Sequence, residues 1–109
     1  MNRGDVYDVD AIPGGPHPVV IATRDVAIPV FSNVTVAMVT RTVRGIRTEV
    51  PLGPDQGLDT DCVVNCDNLF TVPKRSLGRR RGTLGPDRLR LFNDALRVAL
   101  ELDERKRLL

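Results

Sequence analysis

The sequence predicts one small domain, mostly β with α: an antiparallel β-barrel with a C-terminal helix packed on it. Three observations predict it. Short apolar or alternating runs recur between residues 6 and 72, each punctuated by Gly, Pro, Asn or Asp. Only the C-terminal segment changes to three- and four-residue apolar spacing. The length, 109 residues with 41% hydrophobic, suits a single folded core and is too short for two.

The elements follow in order. Val6 to Ile12 alternates apolar and acidic residues and predicts a half-exposed strand, and Pro13 to Pro16 turns the chain. Val19 to Ala22 is a short apolar run fit for a buried strand. Val34 to Val39 and Thr48 to Leu52 are further strands, the second stopped by Pro51 and Gly53. Gly53 to Asp61 is an acidic loop. Cys62 to Asp67 and Leu69 to Val72 predict two more extended pieces, and Lys74 to Gly82 one helical turn and a strand. Pro86 suits the first helical position, and Leu89, Phe92, Leu96, Ala99 and Leu100 form an apolar stripe on a helix ending near Asp103. The domain therefore spans residues 1–103, with a basic tail over 104–109.

The net charge of +2 hides an asymmetry. Residues 1–37 hold Arg3 and Arg24 against Asp5, Asp8, Asp10 and Asp25. Residues 40–48 hold three Arg and no acid, and residues 74–90 hold Lys74, Arg75, Arg79, Arg80, Arg81, Arg88 and Arg90 against Asp87 alone. Local basic clusters on a nearly neutral chain suit a polyanion-binding face, although any one such cluster also fits plain solvated surface. Aromatic residues are only 4%, with no Trp, so base-stacking platforms are poorly supplied.

Chemistry concentrates in Asn33 to Pro51, NVTVAMVTRTVRGIRTEVP. A β-branched strand runs into Thr40 and Arg41, with Arg44 and Arg47 in the loop that follows. A hydroxyl and three guanidiniums at a strand's mouth make a phosphate-binding edge, because the Arg fork matches phosphate oxygens. Cys62 and Cys66 share one strand face with Val64 between them, and a metal site would need two more soft ligands, so they read as buried core thiols. Asp8 and Asp10 share a strand face too, but a carboxylate pair without further ligands is a poor metal site. An apolar leader or membrane span is absent from the sequence, which predicts a cytoplasmic protein with reduced cysteines.

Three blocks, in order, resemble the MazF/PemK family of toxin endoribonucleases. The first is Arg3-Gly4-Asp5-Val6-Tyr7 followed by Val9-Asp10. The second comprises Pro18 to Ile21, Val36 to Thr40 and Thr48 to Pro51. The third runs from Val63 to Thr71 through Cys66-Asp67-Asn68, then Leu77-Gly78 and Gly82. The phrases NVTVA, TVRG and CDN are most like the actinobacterial MazF-like branch.

The resemblance implies an SH3-like barrel with a terminal helix, a homodimer, and a cognate antitoxin whose tail folds into the RNA groove. It implies metal-independent, sequence-selective cleavage of single-stranded RNA, with no cofactor: the 2′-OH attacks phosphorus and leaves a 2′,3′-cyclic phosphate and a 5′-OH. In the family the chemistry falls mainly on an Arg before the Pro-Val strand and a Thr ending the next long strand. Thr40 matches the Thr, while the Arg position is His17 here. Histidine exchanges a proton near neutral pH far more readily than arginine does, and Pro16 and Pro18 would stiffen its backbone. Arg41 or Arg24 is the substitute for charge stabilisation should His17 not act. Arg44 and Arg47 are expected on the RNA backbone, and Asp67 and Asn68 on base edges. Two alternatives stay open: a CcdB-like toxin that binds gyrase without catalysis, and an RNA-binding member that has lost cleavage.

Overall fold

The computed structural model describes residues 1–10 and 16–102. Its strands are β1 (Asp5–Val9), β2 (His17–Ile21), β3 (Asn33–Thr40), β4 (Glu49–Leu52), β5 (Cys62–Pro73) and β6 (Leu77–Thr83), and its helix is α1 (Gly85–Ala99). Short 3-10 turns occupy Pro54–Gln56 and Lys74–Ser76. All strand pairs are antiparallel, in the order β4-β5-β3-β2-β1-β6.

The sheet rolls toward a barrel without a ladder closing it. Its edges are β4 and β6, and the 3-10 turn following β4 packs against β6. Two glycines permit that approach. A Cβ at Gly57 would collide with the Arg81 carbonyl, and one at Gly82 with the Gln56 carbonyl. Gly57 also sits at φ 88°, a left-handed conformation that glycine adopts freely. The Gln56 side chain is buried and accepts the Gly53 N–H at 2.8 Å, which pins the turn.

Alternation along the strands fills both faces of the sheet. Val6, Val20, Ala37, Val50 and Val64 face α1 and pack with its Phe92 and Ala95. Val9, Val19, Ile21, Val34 and Val36 form a second core with Ile28 and Val72. Each Val, Ile or Phe among them contributes roughly 1.5–3 kcal/mol on leaving water. The predicted apolar run 19–21 is thus buried on both sides.

Several expected boundaries move. The first strand ends at Val9 rather than Ile12, and Ile12 with most of the predicted Pro13–Pro16 turn lies outside the described residues. The two pieces expected over 62–72 are one strand. Register steps from Met38↔Asn65 to Ala37↔Leu69, so Cys66, Asp67 and Asn68 bulge out without breaking it. The helix ends at Ala99, short of Asp103, because Glu101 turns left-handed at φ 55°. Leu100 is 53% exposed and leaves the apolar stripe, whereas Ala95 joins it. The expected basic tail, 104–109, lies outside the described residues. Among the described residues no helix is long and apolar enough to cross a membrane.

Candidate functional site

His17 opens β2 and Thr40 closes β3. These strands pair antiparallel with Val19 opposite Met38, so the first residue of one and the last of the other reach the same end of the sheet. Both line a cleft of about 460 Å³. Arg41 enters it from just beyond β3, Arg81 from β6, and Leu58 to Thr60 from the loop after the 3-10 turn. The Thr40 hydroxyl accepts the Thr42 N–H at 3.1 Å, which orients the oxygen while its own proton can be donated into the cleft.

The arginine loop runs from the β3 side of β5 to the β4 side. Arg41, Arg44 and Arg47 are all exposed on it. Its backbone is nonetheless tied down. The Glu49 carboxylate accepts the Arg44 and Gly45 N–H groups, each at 3.0 Å, and Gly45 makes the turn at φ 70°. At the loop's end the Thr48 hydroxyl donates to Asp67 at 2.6 Å. Asp67 and Asn68 are exposed on the β5 bulge beside that end, and the Asn65 side chain accepts the Asp67 N–H at 2.9 Å. The CDN phrase therefore presents its polar groups outward while Cys66 turns into the core.

Arg24 is not brought to this cleft. It follows the far end of β2, where its guanidinium lies 5.5 Å from the centroid of the Phe31 ring in a separate groove.

Arg81 is the cleft residue that sequence reasoning missed. It stands third in the run Arg79-Arg80-Arg81, and only it turns inward, with its side chain 14% exposed. Its Nη1 pairs with Asp8 and its Nη2 with Asp59, each at 3.1 Å. The alternation of Asp8 along β1 was a visible signal that a partner cation would be needed. Asp8 thus holds an arginine, and among the described residues no three or more His, Cys, Asp or Glu gather as a metal site.

Cys62 and Cys66 are free and buried. Burial, with Asp67 adding to it, pushes the Cys66 thiol up to about 12. Cys62 lines the cleft, but burial and Asp61 raise its thiol also, with Arg41 opposing. Neither is a nucleophile near neutral pH.

Fold and site together define a rolled antiparallel sheet with one C-terminal helix and a cleft at one end of the sheet lined by His17, Thr40, Arg41, Asp59 and Arg81. The chain belongs to the PemK-like, MazF-like toxin family of type II toxin–antitoxin systems, whose profile matches residues 2–100. It is 45% identical over 87 residues to the Endoribonuclease MazF3 of Mycobacterium tuberculosis, covering 80% of this chain and 84% of that protein. The fold superposes on the Mycobacterium tuberculosis toxin MazF-mt6 with a TM-score of 0.84 and 39% identity, over 91% of this chain and 98% of the other. An endoribonuclease from a mycobacterial species, solved with its cognate antitoxin, gives a TM-score of 0.84 at 32% identity, over 94% of this chain and 96% of that one.

Proposed function

We propose that the protein is the endoribonuclease toxin of a toxin–antitoxin pair, cutting single-stranded RNA in the cytoplasm. Kinship with named endoribonucleases supports the activity. The observation that carries the mechanism is the meeting of His17 and Thr40 in one cleft beside Arg41 and Arg81.

RNA brings its own nucleophile. The ribose 2′-oxygen bonds to the adjacent phosphorus while the bond from phosphorus to the 5′-oxygen breaks, giving a 2′,3′-cyclic phosphate and a 5′-OH. The 2′-OH proton must be taken up, the leaving 5′-oxygen must receive one, and donors must meet the charge growing on the phosphate. His17 is assigned both transfers, since a neutral imidazole carries one accepting and one donating nitrogen. Thr40 donates its hydroxyl proton to a phosphate oxygen. No resident metal is invoked for these steps.

Arg41, Arg44 and Arg47 would hold the strand's phosphates, and Asp67 with Asn68 would read base edges from the β5 bulge. Arg24 would be reached only by a strand running to the other end of the sheet. The active form is assigned as a homodimer, and its antitoxin as a partly acidic segment that folds along the same cationic surface.

The test is incubation of the protein with a long RNA in excess EDTA, followed by end-group analysis. Fragments with 5′-OH and cyclic phosphate ends, absent with Thr40→Val, are expected. Intact RNA from a folded protein would overturn the nuclease assignment and leave a toxin that acts by binding.

A further inference from the structure

We propose that Arg81 supplies the fixed positive charge that meets the scissile phosphate, and that Asp59 occupies this place in the free protein. The proposal rests on the nuclease reading above, because it assigns a role in that same cleft.

The two ends of the Arg81 guanidinium have different partners. Nη1 is held at 3.1 Å by Asp8, whose side chain is 18% exposed, on the neighbouring strand β1. That pair is shielded on both sides and fixes the plane of the fork. Nη2 is held at 3.1 Å by Asp59, whose side chain is 87% exposed. A bridge to so exposed a carboxylate is weak and readily exchanged. One half of the fork is therefore anchored, and the other is covered by a removable anion.

The backbone places Asp59 there deliberately close. Gly57 and Gly82 let the turn after β4 approach β6, and residues 58–60 then line the same cleft as His17 and Thr40. A carboxylate there opposes the entry of another anion unless the entering phosphate takes its place. A phosphate oxygen on Nη2 would do so, leaving Asp59 free to swing into water. An imidazole moves a proton but is a poor permanent cation, whereas a guanidinium keeps its charge in proteins and offers a fixed fork of donors.

The test compares Arg81→Gln, Arg81→Lys and Asp59→Asn with the unaltered protein in two assays. One measures RNA cleavage; the other measures binding of a short single-stranded RNA whose riboses are 2′-O-methylated and cannot be cut. Arg81→Gln should lower kcat by about 100-fold or more, the scale of losing one charge-stabilising donor. Arg81→Lys should recover part of that loss, as a point charge without the fork. Asp59→Asn should lower KM and tighten binding of the methylated RNA by up to about fivefold, with kcat little changed.

Cleavage by Arg81→Gln at the unaltered rate would overturn the proposal. So would unchanged or weaker binding by Asp59→Asn, which remains a test even if Arg81→Gln fails to fold. If the unaltered protein cuts no RNA, the nuclease reading fails by itself. Arg81 then stands or falls as a phosphate contact on the methylated RNA alone.

Discussion

The Thr48 hydroxyl donates a 2.6 Å hydrogen bond to the Asp67 carboxylate, and the Thr48 carbonyl accepts the Cys66 N–H at 2.8 Å. One residue thus ties the end of the arginine loop to the β5 bulge. Loop and bulge cannot move independently while both bonds hold, so the arginines stay in register with the polar groups assigned to base reading. Thr48→Val keeps the shape and removes only the bond to Asp67. It should cost about 1.5–3 kcal/mol, the scale of a hydrogen bond to a charged group, and Thr48→Ser should restore most of it. Urea unfolding measures the loss, and cleavage of a mixed-sequence RNA pool should show relaxed selectivity. Undiminished stability in Thr48→Val would mean that water replaces the bond at no cost.

The role given to His17 separates chemistry from binding. His17→Ala should lower cleavage by about 100-fold or more, within the usual range for a general acid or base. Binding of RNA should change little, because the phosphate contacts fall to the arginines. His17→Arg, which restores the residue type implied by the resemblance, should keep measurable turnover. Cleavage by His17→Ala at the unaltered rate would remove this side chain from the reaction and leave Thr40 and Arg81 to carry it.

The strands were legible from short apolar runs and from alternation. Val19, Val20 and Ile21 announce a strand buried on both faces, and Cys62, Val64 and Cys66 announce one inward face. The meeting of His17 and Thr40 was legible only through family resemblance, since nothing local in either segment shows that β2 and β3 pair. What escaped was long-range. Arg81 looks like Arg79 and Arg80 in sequence, and the register shift that takes Val6↔Gly82 to Tyr7↔Arg80, together with the approach of Gly57 to β6, sets Arg81 apart from them. Glu101 shortened the helix against its apolar spacing, because a left-handed residue ends a helix whatever the side chains beyond it prefer.

Cys66 makes stability depend on alkaline pH. Its thiol, 1% exposed, is raised from 9.0 to about 12 in the folded chain, so the folded state holds the proton more tightly than the unfolded one. Its contribution is complete below about pH 9 and falls as pH rises toward about 12, by no more than roughly 1.4 kcal/mol per pH unit. Cys66→Ala should flatten this slope in urea titrations across that window, at the expense of a small cavity. An equally steep decline in Cys66→Ala would assign the alkaline loss to other groups. Near neutral pH the same burial predicts that thiol reagents label Cys66 only after unfolding.

Gly57 joins fold and site in one position. Its φ of 88° is strained for any other residue, and an added Cβ would meet the Arg81 carbonyl, which as backbone cannot step aside. Gly57→Ala must push the turn after β4 away from β6, opening the contact between the two sheet edges. The loss should be at least about 1–3 kcal/mol, the scale of a strained backbone. The displaced wall carries Asp59, so its bridge to Arg81 should lengthen or break as the turn retreats. Two readouts then move together: the midpoint of thermal unfolding falls, and the affinity for methylated single-stranded RNA changes as Arg81 loses its carboxylate cover. Asp59→Asn separates them, since it uncovers Arg81 without touching the backbone. If Gly57→Ala destabilises the fold while binding stays unaltered, the turn is a structural closure only and does not set the position of Asp59.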